Sequence, residues 1–126
     1  MDVTDLPLPG RVVQDVVRCG RQVRVELSGA YQLVIEAAFS VAGAGSAERT
    51  DPEDPAVALG PRVRALAGRT VTTAASSGGN LGVECAGGVR LDVPVDDSYE
   101  AWQLHGPDGY RVVCTPGGEL AVWSAQ

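Results

Sequence analysis

The residues that could do chemistry are few. His105 is the single histidine, and Cys19, Cys85 and Cys114 are the three cysteines. A hydrolase needs a nucleophile, a base and an orienting acid within mutual reach. Cys114 and His105 fall on the two strands of one expected hairpin, so a Cys–His pair is the nucleophilic combination to weigh. Strand alternation opposes it. Cys114 shares its face with Tyr110 and Val112, while His105 points away from the face of Trp102 and Leu104. A zinc site needs about four N or S ligands with at least one close pair, and the chain has no CxxC. Every basic residue is arginine, so no lysine is present for a Schiff base or a phosphate loop. The glycine-rich stretches join strands and open no helix, which is the wrong setting for a phosphate. No catalytic residue, no metal and no cofactor are expected.

Carboxylates gather twice. Asp51, Glu53 and Asp54 read as a helix N-terminus, where acids favour the helix dipole. Asp96, Asp97 and Glu100 read as a solvated turn, without the spacing of a calcium loop. An acidic loop beside Tyr99 and Trp102 also suits a cationic partner. Four of the six aromatic residues lie in the last 28 positions. Counting from Leu120 and Val122 as inward, Trp123 points outward, as do Ala121 and Val113. A bulge would reverse that parity and put Trp123 in the core. An outward Trp with Val neighbours marks a partner surface or a homodimer seam. The candidate binding residues are therefore Trp123, Val113, Tyr99, Glu100, Asp97 and His105.

Charge and length narrow the class. The 126 residues suffice for one domain, expected over 1–126. Ten basic residues face sixteen acidic ones, a net charge of −6. Nucleic-acid binding needs a basic face, so no nucleic-acid partner is expected. A spanning helix needs about 20 apolar residues; none is visible, and no membrane partner is expected. The acidic start lacks the basic and apolar regions of a secretory signal. With three widely spaced cysteines, that fits reduced thiols in the cytoplasm.

These side chains need elements to hold them, and a repeat supplies the elements. Shifted by 58 residues, 8–36 falls on 66–94 without a gap, with nine identities in twenty-nine positions. The pairs Val23/Leu81, Leu27/Cys85, Tyr31/Val89 and Ile35/Val93 are apolar in both copies. Each copy reads as three antiparallel strands: 11–17, 22–28 and 31–37, then 69–75, 80–85 and 89–95. Val23, Val25 and Leu27 alternate with Arg24 and Glu26, the mark of a strand with one buried face. Glycine-rich turns punctuate both copies. Between them, 40–66 reads as a loop and helix linker. Ala42–Ala47 is expected to be a flexible loop, Asp54 an N-cap with Pro55 the first helical residue, and Pro61–Leu66 a short helical piece. Hairpins over 99–124 close the chain, with Trp102, Leu104, Tyr110, Val112, Leu120 and Val122 expected in the core. The fold class is mainly β: a duplicated three-strand unit plus C-terminal hairpins, as a sandwich, roll or open barrel with one short helical linker.

Several of these stretches resemble a known family. The tail 99–107 (YEAWQLHGP) and 113–123 (VCTPGGELAVW), the opening 6–11 (LPLPGR) and the central 66–71 (LAGRTV) are similar to an uncharacterised domain-of-unknown-function family of small β-rich proteins from GC-rich bacteria. The resemblance covers nearly the whole chain and implies one complete small bacterial domain. It carries no catalytic residue with it. The expected function is a non-catalytic protein-interaction module, with an immunity-like protein as one form and a protein partner or a homodimer as its target. The alternative is a small-ligand carrier or sensor with a pocket between the repeats. An enzyme using Asp96, Asp97, Glu100 or His105 ranks below both.

Overall fold

A computed structural model describes residues 3–43, 45–54, 58–98 and 100–124. In chain order the strands are β1 Val3–Asp5, β2 Val13–Cys19, β3 Gln22–Leu27, β4 Tyr31–Ile35, β5 Phe39–Gly43 and β6 Ser46–Thr50. The helix α1 Pro61–Arg64 follows, then β7 Val71–Ser77, β8 Asn80–Cys85, β9 Val89–Val93, β10 Trp102–His105, β11 Arg111–Cys114 and β12 Leu120–Trp123. They form two six-stranded antiparallel sheets, β1-β7-β8-β9-β5-β6 and β12-β11-β10-β4-β3-β2. One apolar core joins them, a sandwich-like arrangement.

The repeat is real in space. β2, β3 and β4 lie 58 residues before β7, β8 and β9 in all three cases. Even the irregularities match: the ladder shifts between Val13 and Asp15, and again between Val71 and Thr73. The equivalent residues Val12 and Thr70 pair with each other. Val13 N–H donates to the Arg69 carbonyl at 2.8 Å, and Val71 N–H donates to the Arg11 carbonyl at 2.8 Å. A pseudo-twofold axis therefore passes between Val12 and Thr70.

Each copy sends its next strand to the other's sheet. β5 leaves the first copy and pairs with β9, placing Val41 opposite Leu91. β10 leaves the second copy and pairs with β4, placing Leu104 opposite Leu33. Phe39 and Trp102 are thus equivalents, and both are fully buried. The crossing takes three residues in the first copy (36–38) and eight in the second (94–101). Trp102 Nε1–H donates to the Gly79 carbonyl at 2.9 Å, tying β10 to the β7–β8 turn. At that turn a Cβ on Gly79 would fall on the Gly118 Cα, so two glycine turns meet backbone to backbone.

The linker corrects an expectation. Residues 39–50 form the β5–β6 hairpin rather than a flexible loop. Its small residues hide a strand whose inward positions, Phe39 and Val41, are buried; Gly45, at φ 82°, makes the turn. Pro61–Arg64 is helical as expected, and Glu48 accepts the Arg62 and Val63 N–H groups at 3.5 and 3.3 Å. Asp51–Asp54 is a turn in which Asp51 Oδ1 accepts the Glu53 N–H at 3.0 Å. The expected helical start at Pro55 lies outside the described residues.

Candidate functional site

The β11–β12 ladder is regular, so the parity question resolves simply. Trp123 stands opposite Arg111, on the face away from the core, and is 51% exposed. Cross-strand register places Trp123, Arg111, His105, Gln32, Glu26 and Asp15 in one row on that outer face. The neighbouring row is Ala121, Val113, Gln103, Val34, Arg24 and Val17. Two expected binding residues, His105 and Trp123, so share a row, with Arg111 between them.

Polar contacts tie the two rows together. The Arg111 guanidinium lies over the Trp123 ring, 5.3 Å from its centroid. Arg111 Nη2 donates to Gln103 Oε1 at 3.2 Å, and His105 Nε2 lies 3.1 Å from the same oxygen. With that oxygen already an acceptor, His105 donates from Nε2. Gln103 Nε2 donates to Glu100 Oε1 at 3.4 Å. Glu100, Gln103, His105, Arg111 and Trp123 thus form one contact chain. Burial lowers the His105 pKa, and the nearby Arg111 and Arg24 charges lower it further. Both effects favour the neutral imidazole.

Val113 differs from expectation. It points outward, yet it is only 2% exposed, and Val34, also outward, is 6% exposed. Both flank Gln103 in the ladder, so the outer face has a small apolar floor beneath polar side chains. Of the expected Trp123–Val113 pair, only Trp123 meets solvent. Asp97 is exposed in the loop before β10. Tyr99 lies outside the described residues. Sequence reasoning missed Arg111, Gln103 and Arg24; the pairing of Arg111 with Trp123 follows from the hairpin register and was the available signal.

Among the described residues, no strand pairs with the outer edge of β12. Val122 sits on the core-side face opposite Val112 yet is 54% exposed. Other expected core residues are well covered: Trp102, Leu104 and Val112 are buried, and Tyr110 and Leu120 pack partly against the core. Tyr110 meets Tyr31 edge-to-face with centroids 6.2 Å apart, and the Arg11 guanidinium lies over Tyr31 at 5.2 Å.

Cys114 is buried on the core side, across the sheet from His105, and burial pushes its thiol pKa up. A buried, protonated thiol is a poor nucleophile. Among the described residues no group of three or more His, Cys, Asp or Glu gathers for a metal ion. Among them, too, no helix is long and apolar enough to cross a membrane. The space between the repeats is filled by Phe39, Leu33, Leu81, Trp102 and their neighbours. A hollow of about 310 Å³ lies instead beside α1, open to solvent and lined by Val41, Pro61, Arg62, Ala65, Arg69 and Val89.

A family model described as a family of unknown function (DUF6188) covers residues 4–124. No curated protein and no solved structure matches.

Proposed function

The chain belongs to the DUF6188 family, whose description names no activity, and from that premise we propose a non-catalytic protein-interaction module that works through the β12 corner. One observation carries the reading: an open edge strand presents Val122 and Trp123, both more than half exposed, beside the Arg111–Gln103–His105 contact chain. An aromatic anchor next to an arginine is the composition of interface hot spots. Apolar side chains on an unpaired edge also favour a strand or sheet partner over a small molecule. The three free cysteines suit a reducing cytoplasm, and the arginine-only basic set suits a GC-rich bacterial source. An immunity-like role is one form of this module, with the net charge of −6 steering a basic target.

Site-specific photo-crosslinking in the native host tests it. A crosslinker at position 123 is expected to trap a protein adduct, while one at the exposed Thr72 on β7 traps none. Equal labelling at both positions, or none at 123, overturns the reading.

A further inference from the structure

We propose that β12 is a self-pairing edge: two copies of this chain join antiparallel through β12 about a twofold axis at Ala121, making one continuous sheet. The inference rests on the interaction reading above and names its partner.

The backbone fixes which groups are free. Thr115 N–H donates to the Glu119 carbonyl at 2.9 Å, so Glu119 belongs to a hydrogen-bonded pair with β11. Antiparallel ladders alternate. Ala121 and Trp123 therefore turn their N–H and C=O groups toward β11, and Leu120 and Val122 turn theirs to the open edge. A twofold axis at Ala121 sets Leu120 of one copy opposite Val122 of the other. Both are edge-facing, so the donors and acceptors of the two strands match.

The side chains match as well. On the core side, the half-exposed Val122 gains Leu120 of the second copy as its cross-strand neighbour. On the outer side, Trp123 falls opposite Glu119 of the second copy. Arg111 already lies over Trp123, so its charge meets that carboxylate, and the symmetry makes the contact twice. A chain of net charge −6 repels its own copy at long range. The local Arg111–Glu119 complement offsets that at the seam.

The other three edges carry the devices that block such pairing. β1 has only three residues, one of them Asp5. β6 carries Glu48 and Arg49. β2 carries Asp15 and Arg18 and a ladder shift after Val13. β12 reads Leu-Ala-Val-Trp, with no charge and a regular register. Assembly through β12 leaves only the blunted edges and stops at two copies.

Sedimentation of the full chain, with two variants, tests this. The wild type is expected as a dimer. Val122→Pro removes only an edge-facing N–H, so the β-sheet circular dichroism stays and the dimer dissociation constant rises about tenfold or more, as the loss of two symmetric hydrogen bonds requires. In a Cys19→Ser background, Ala121→Cys is expected to form a disulfide-linked dimer on oxidation, because non-hydrogen-bonded antiparallel pairs bring Cβ atoms within about 5.5 Å. Val122→Cys in the same background is expected to stay uncrosslinked. A monomeric wild type, a Val122→Pro dimer of unchanged affinity, or crosslinking at 122 and not at 121 each overturns the inference. A monomer whose position 123 still traps a different protein overturns the inference and leaves the interaction reading standing. A monomer that traps nothing removes both.

Discussion

At the scale of single residues, His105 reports the outer face. Its pKa is lowered first by burial, then by Arg111 and Arg24. Removing one charge should therefore move it: Arg111→Gln raises the His105 titration midpoint, read by NMR, and an unmoved midpoint contradicts the contact chain. The sign for stability follows. The unfolded histidine titrates near about 6.5, and the folded one titrates lower, so the unfolded chain binds the proton first. This contribution is complete above that pH and is lost as pH falls through the folded value. His105→Asn is expected to flatten that part of the stability profile in urea titrations between pH 7 and 5. Trp102 and Phe39 make the opposite case, uncharged, fully buried and equivalent by symmetry. Trp102→Ala is expected to lower unfolding free energy by about 3–5 kcal/mol, and Phe39→Ala by a similar amount. A loss under about 1 kcal/mol at either position would mean that its half of the core is poorly packed.

Among the elements, turns decide more than strands. Gly78 and Gly79 both have positive φ, at 59° and 86°. An alanine at 78 meets open space, whereas at 79 it meets the Gly118 backbone. Gly78→Ala is therefore expected to cost about 1 kcal/mol from the left-handed backbone alone. Gly79→Ala should cost clearly more, because neither backbone can yield cheaply. Equal thermal shifts for the two would show that the turns are not in contact. These turns were legible in the sequence, since Gly-Gly pairs and strict alternation around Val23, Val25 and Leu27 are local signals. So was the repeat, whereas alternation alone left Trp123 open between the outer face and a core position reached through a bulge. The β5–β6 hairpin was not, because Ala42, Gly43 and Gly45 have no strand preference and the pairing of β5 with β9 is non-local. The burial of Val113 was equally hidden. Alternation gives a side chain's direction, but here neighbours on the outer face, not the core, cover it.

The whole molecule is held by its crossings. Because β5 completes the sheet of the second copy and β10 that of the first, neither half can bury its core alone. Cutting the chain after Asp54 is expected to leave two fragments without stable β structure when separate. Mixed, they should regain the circular dichroism of the intact chain, and a fragment that folds alone would contradict the exchange. The axis between Val12 and Thr70 has a further meaning. Two identical subunits trading strands would look like this, so the chain has the form of a homodimer whose genes were fused. Fusion frees the halves to drift apart: the outward Val34 of one corresponds to Asp92 of the other, and the arginine at 24 corresponds to Gly82. An unfused ancestor would show every adhesive edge twice and could grow into a filament. Joined into one polypeptide, the pair can carry the adhesive β12 on one side only, since the other sheet ends at β6, the counterpart of β11.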